Sequence, residues 1–192
     1  MNFFYLDADP QTNATYHVND HVGKMAMEAC QMLSTAHRLL DGKLSLALAP
    51  TGRLKKVWLL DGEGCVFKHI EKDEWGVVYD TGLYGVSHAN HPWTVWAIES
   101  STNYSLMWVH AHALYKEYTF RYSRKHKGGK TLNKLIHLPK NITNFGITKM
   151  PLCMPETYFR SDTIQSYREC YKHEKSHLHK WTGRDVPHWI AA

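Results

Sequence analysis

No run of about 18 apolar residues occurs in the chain, which excludes a membrane-spanning helix of ordinary length. Cysteine is sparse. Cys30, Cys65, Cys153 and Cys170 stand apart and form no C-x-x-C pair, a pattern that suits buried thiols in a reducing, cytoplasmic setting. No basic leader or small-residue cleavage site follows Met1, so no secretory signal is expected. Internal repeats and low-complexity tracts are missing too, which sets aside solenoids and disordered arrays.

What is present fits one domain. A chain of 192 residues with 43% apolar content can bury a sizeable core. The net charge of +5 conceals an uneven spread. Residues 1–115 carry 8 basic and 12 acidic side chains, whereas 116–192 carry 15 basic and 6 acidic. A basic C-terminal half points to a polyanionic partner such as nucleic acid or a nucleotide phosphate; the competing reading is a solvated lysine face. Histidine, with 14 copies, is the more unusual feature.

Local signals predict a mainly α domain of five to six helices spanning 1–192, with a small β insertion over 43–87 and an α+β arrangement as the alternative. Residues 3–6 read as a short buried strand. Asp9-Pro10 opens a helix to about Val18, and Asn19 or Asp20 caps a second helix to about Leu40, stopped by Asp41-Gly42. Lys56–Leu60 and Cys65–Phe67 flank Asp61-Gly62-Glu63-Gly64 as a hairpin, and 75–79 add a possible third strand. Helices follow over 92–99, 102–127 (ended by Gly128-Gly129) and 131–137. The proline-bearing segment 139–160 reads as an ordered loop. Asp162 with Gln165 opens a last helix to about Trp181, and the tail is expected to pack back through Trp189.

On the second helix, His21, Lys24, Glu28, Gln31 and Thr35 are spaced three, four, three and four apart, and so share one face. The residues between them are apolar or small. A surface helix usually exposes a broad charged face, so a polar line one residue wide predicts a helix covered on most sides, with the line facing a slit. Burial there lowers a lysine pKa and raises a glutamate pKa, the shifts of a nucleophile and a general acid–base group. Gly23, costly in a helix by roughly 1 kcal/mol, suggests close approach by a ligand or another backbone. The competing reading is a buried Lys24–Glu28 pair bracing two helices.

The helix predicted over 102–127 repeats the pattern with Asn103, His110, Glu117, Arg121 and Arg124, and the last helix offers Arg168, Tyr171 and Lys175. Facing stripes would form a slit with acids on one wall and bases on the other, suited to a phosphate and a base; a salt-bridge network between helices is the alternative. His17/His21 and His173/His177 are four apart, a spacing two histidines can use to share a metal. Neither completes H-E-x-x-H, and Asn19-Asp20-His21 reverses the His-Asp doublet of metal phosphohydrolases. If a metal is held, His17, Asp20, His21 and His91 are its candidate ligands. The D-x-D of Asp7-Ala8-Asp9 imitates a dehalogenase-type phosphatase motif, but Asp9 is better explained as a helix cap. Arg121, Arg124, Lys125, Lys127, Lys130 and Lys134, interleaved with Tyr118 and Tyr122, suit a nucleic-acid backbone or a frayed, solvated helix end.

These residues carry a resemblance. His17-x-x-Asp20-His21-Val22-x-Lys24-Met25-x-x-Glu28-x-x-Gln31-x-x-x-Thr35-Ala36-His37 resembles the opening of a family of small proteins common in tailed-bacteriophage genomes. His88-x-Asn90-His91-Pro92 with Trp96, Asn103-Tyr104, Glu117-Tyr118-x-x-Arg121-Tyr122 with His126, Met154-Pro155 with Tyr158, and Tyr167-Arg168 through Lys175 to Trp181 extend it. It covers nearly all of the chain except 43–86, which is longer here than is usual. The family's lysine after the aspartate is missing, since His21 follows Asp20 directly. The resemblance implies a phage origin and a host-cytoplasmic setting, and such phages often encode enzymes that modify DNA pyrimidines, some of them glycosylase-like.

Three functions are therefore expected in competition. The first is an enzyme acting on a nucleobase or nucleotide. Glu28 would be its acid–base, Lys24 its nucleophile or electrostatic partner, and His21 and His91 would take part. Gln31, His37, Asn103, Glu117, Tyr122, Tyr171 and Lys175 would line the substrate, with Arg121 and Arg168 on phosphate. The second is a metal-dependent phosphohydrolase. The third is a non-catalytic binder of nucleic acid or a host protein. No motif names a cofactor.

Overall fold

The computed structural model describes residues 3–71 and 74–191. The chain enters as an extended, buried segment, Phe3–Leu6, that pairs with no strand among the described residues. The expected strand there is therefore corrected: its apolar side chains are held by aromatic packing, and Leu6 N–H donates to the Asn13 side chain rather than to a ladder. Helix α1 (Pro10–Tyr16) starts as expected, with Asp9 accepting from Thr12 N–H.

Helix α2 (Asn19–Asp41) is preceded by Val18, not by a polar cap. Asn19 was expected to cap it, but its side-chain oxygen accepts from Arg121 and from Thr182 N–H instead.

Four strands follow, β1 (Lys43–Leu48), β2 (Leu54–Leu59), β3 (Cys65–Glu71) and β4 (Glu74–Tyr79). They form two separate antiparallel hairpins, β1–β2 and β3–β4. The hairpin expected between 56–60 and 65–67 does not form. Glu63, in the turn that would have closed it, is drawn into the protein, and Asp61–Gly64 become the link between hairpins. The strand expected over 75–79 is present in β4. One face of β1–β2 leaves Leu44, Leu46, Leu48 and Leu54 exposed.

The insertion is seated by Arg38 of α2, whose side chain is fully buried. Its guanidinium donates to both oxygens of Glu63 and to the carbonyls of Trp58, Leu83 and Tyr84, and lies 3.6 Å from the Tyr79 ring centre. Glu63 also accepts from Leu60 N–H and the Thr81 hydroxyl. Burial opposes its charge, but the bonds from Arg38, Thr81 and Leu60 hold the carboxyl below its usual range.

Helix α3 (Pro92–Glu99) and helix α4 (Ser101–Tyr122) restart as expected, the second capped by Ser100. Helix α4 ends earlier than Gly128-Gly129. Ser123 adopts the left-handed conformation (φ 49°) and turns 124–128 back toward the helix, which spares Arg124, Lys125 and Lys127 a continued like-charged helical face. Helix α5 (Gly129–Lys134) follows. Segment 139–160 is irregular apart from one short 3-10 turn, Glu156–Tyr158. Helix α6 (Thr163–Glu174) is capped by Asp162 but stops well before Trp181, and α7 (His188–Ala191) brings Trp189 against Tyr16 and Tyr171. The architecture is mainly α, with seven α-helices among the described residues and two small hairpins inserted after α2. Helices α1–α4 pack around the N-terminal segment, and their apolar side chains form one core cluster with Tyr167 and Tyr171 of α6. No helix among the described residues is long and apolar enough to cross a membrane.

Candidate nucleic-acid interface

The structure distributes the α2 stripe among several tasks. His21 is buried, stacked on Phe4 at 4.9 Å, with Nδ1 2.9 Å from the Tyr171 hydroxyl. Burial, helped by nearby Lys175 and Lys24, lowers its pKa to about 4. Lys24 is exposed, which corrects the expectation of a covered lysine, whereas Glu28 is buried. Gln31 is half-buried at a cavity of 260 Å³ shared with Tyr79 and Tyr84–Ser87. Thr35 exchanges hydrogen bonds with the Ser87 backbone. His37 Nε2 lies within hydrogen-bond distance of the Tyr104 hydroxyl and the His137 carbonyl. The C-terminal part of the stripe thus seats loops on α2 and does not face open space.

The α4 stripe is likewise engaged within the fold. Asn103 is fully buried, donates to Trp96 O and the Thr148 hydroxyl, and accepts from Thr148 N–H. His110 meets Asn13 of α1 at 3.0 Å. Arg121 bonds to Glu117 and Asn19 and donates to the carbonyls of Thr15 and His17. It closes the C-terminus of α1, where backbone oxygens lack helical partners. Glu117 is buried between Arg121 and Arg184. Burial opposes its charge, but those two guanidiniums keep its carboxyl below the usual range. Tyr122 donates to Asn19 O, Arg168 bonds Leu6 O and Asp7, and Tyr171 accepts from Val18 N–H. Lys175 is the half-buried C-cap of α6. The expected phosphate-holding roles of Arg121 and Arg168 are corrected on this ground, since both guanidiniums clamp backbone.

The candidate metal ligands do not converge. Among the described residues no group of three His, Cys, Asp or Glu side chains is placed to hold an ion. His17 is buried with Nδ1 on Asn13 O, Asp20 is exposed, and His91 caps α3 through Trp93 N–H.

The basic cluster behaves differently. Around the C-terminal end of α4, a cavity of 670 Å³ is lined by His112, Tyr115, Lys116 and Thr119 of α4, by Lys125–Lys127, and by Gly129, Lys130, Leu132 and Asn133 of α5. Four lysines line it, and no acid does. The one acid between positions 112 and 133 is Glu117, buried on the other side of α4. Beside it lies a cavity of 430 Å³ lined by Met27, Tyr84, Tyr118 and the segment Arg124–Gly128. Lys125, His126 and Lys127 border both.

The wall between them is firmly built. His126 packs edge-on against Tyr115 and Tyr118, at 5.1 and 4.8 Å between ring centres. Its Nδ1 accepts from Gly128 N–H, leaving Nε2 as the protonated, donating nitrogen. Burial, then the charge of Arg124, lowers its pKa, so it is neutral at pH 7. Tyr115 lies 3.3 Å from the Cys30 thiol, whose pKa burial raises to about 12. Gly128 admits no side chain, because a Cβ there would collide with the Tyr115 hydroxyl. His112 stacks on Trp108 at 5.0 Å.

Of the basic residues singled out in sequence, Arg124, Lys125, Lys127 and Lys130 belong to this surface. Arg121 is internal, and Lys134 donates to Thr81 O. Sequence reasoning named His126 only within the resemblance and missed His112, Tyr115, Lys116, Tyr84 and Met27 as site residues. The four-residue step from His112 to Lys116 was a readable signal; Tyr84 and Met27 reach the site only through tertiary packing. No family model matches the chain, and no curated protein or solved structure matches it either.

Proposed function

We propose that the protein binds nucleic acid through its phosphate backbone, at the cleft between the end of α4, segment 124–128 and α5. The acid-free lysine lining of the 670 Å³ cavity carries this reading. Clustered lysines displace the counterions condensed on a polyanion, and that release drives association. The left-handed Ser123 and the side-chain-intolerant Gly128 support it, because a strained turn holds the cations over the cavity. Of the expected base-modifying enzyme, the proposal keeps the nucleic-acid class of ligand. Its catalytic pair Lys24 and Glu28 lines neither basic cavity. The setting proposed is the cytoplasm of a phage-infected cell, which four free thiols suit.

Fluorescence anisotropy of a labelled single-stranded oligonucleotide tests it. Affinity should fall with salt, at about 0.7 log unit per log unit of salt for each phosphate neutralised. The double variant Lys125→Glu/Lys127→Glu should lose binding by at least tenfold while melting normally. Retained affinity in that variant would overturn the reading.

A further inference from the structure

We infer that the 430 Å³ cavity beside the lysine cleft is a base slot, so that the ligand is single-stranded nucleic acid presenting an unpaired base. This inference rests on the backbone-binding reading and adds to it what the neighbouring cavity selects.

The two cavities differ in chemistry. The larger sets four lysines around one tyrosine, whereas the smaller sets two tyrosines and a methionine beside Arg124, Lys125 and Lys127. Sharing Lys125, His126 and Lys127, they set the lysine cleft directly beside the aromatic cavity. The volume lies within the ~300–1,000 Å³ range of small-molecule sites. Aromatic faces with a neighbouring arginine are the usual platform for an unstacked base, and the Arg124 guanidinium lies 5.7 Å from the Tyr118 ring centre. Met27 is 37% exposed on a helix whose flanking residues Met25, Ala26, Glu28 and Ala29 are buried, and it supplies an adaptable apolar wall. His126 offers its Nε2 donor at the partition, suited to a base carbonyl or ring nitrogen.

Gly23 shows that the slot is built. A Cβ at position 23 would stand 3.0 Å from the Tyr118 ring and 3.5 Å from His126. Glycine, otherwise costly inside a helix, lets α2 approach closely enough to fix both rings. A duplex keeps its bases stacked and paired, so only a single strand or an unpaired position fills such a slot.

The experiment compares three labelled ligands on the intact protein: a short oligothymidylate, an all-abasic oligomer of equal phosphate number, and a duplex of equal length. The oligothymidylate should bind about tenfold more tightly than the abasic oligomer, and also more tightly than the duplex. Met27→Lys adds charge while obstructing the slot. It should leave abasic binding intact or tighter and erase the preference for bases. Equal affinity for thymidylate and abasic oligomers would overturn the slot while leaving backbone binding standing. So would a duplex that binds as tightly as the single strand, or a preference that survives Met27→Lys. Loss of all binding at low salt would overturn both readings.

Discussion

Arg38 of α2 and Glu63 of the link between hairpins meet as a two-pronged ion pair, at 2.7 and 3.0 Å, and neither side chain reaches solvent. A two-stranded hairpin is marginal by itself in water. Both hairpins here depend on the helical body, and this pair, with the carbonyls Arg38 gathers from Trp58, Leu83 and Tyr84, is a buried polar tie between them.

Removing one member should therefore cost more than removing both. Glu63→Ala removes two of the five hydrogen bonds of a buried guanidinium and its only charge partner in that network, and a loss of about 3–5 kcal/mol is expected. Arg38→Met combined with Glu63→Met should be less damaging than Glu63→Ala alone. Urea midpoints of the three proteins decide it. Protease cutting within 43–80 should rise first in the single variant.

Gly128 gives a local prediction. In Gly128→Ala the new methyl meets the Tyr115 hydroxyl, and relief requires segment 124–128 to move. A loss of about 1–3 kcal/mol is expected. Oligonucleotide affinity should drop as well, because Lys125 and Lys127 travel with the segment. A variant that melts lower but binds normally would disconnect the segment from the interface.

Acid sensitivity follows from three buried histidines. Burial lowers the pKa of His17 to about 3 and those of His21 and His110 to about 4. The folded state then binds fewer protons than the unfolded one, so stability is complete above the unfolded pKa near 6.5 and is lost as pH falls below it. At pH 5 each of the three withdraws about 2 kcal/mol. Glu63 and Glu117, whose carboxyls are held low, act in the same direction at still lower pH. Melting temperature should decline steeply from pH 7 to pH 5. His110→Asn should flatten that decline even though it lowers stability at pH 7, because His110 Nε2 is buried with no hydrogen-bond partner among the described residues and an asparagine does not titrate.

The fold class was readable because helix caps and periodicity are local. Asp9, Ser100 and Asp162 each do what their place before an apolar-periodic segment predicts. The hairpin pairing was not readable, since Glu63 looks like turn chemistry until Arg38, 25 residues away, is known to be buried. The two stripes were real as helical faces, but their meaning was tertiary. A narrow polar line marks a covered helix equally well when its partners are backbone carbonyls of neighbouring segments, as at Thr35, Asn103 and Arg121, as when it lines a cleft. The basic run near 124–130 was legible as charge. Its neighbours Tyr84 and Met27 come from distant segments that no sequence spacing connects.

The contrast between the internal arginine network and the exposed lysines gives the last prediction. Arg121 and Glu117 are buried and close the end of α1, whereas Lys127 and Lys130 are exposed over the cleft. Glu117→Gln should cost about 3 kcal/mol or more, because two guanidiniums lose their carboxylate in a site of low exposure. The salt slope of oligonucleotide binding should stay unchanged, since no cation contacting phosphate is touched. Lys127→Ala should do the reverse, leaving the melt within about 0.5 kcal/mol of the parent and reducing the salt slope by about 0.7. Measuring both quantities on both variants separates a network that holds the fold from a surface that holds a ligand. If Glu117→Gln changed the slope and Lys127→Ala did not, the binding surface would lie at the α1–α4 seam, where the polar stripes first pointed.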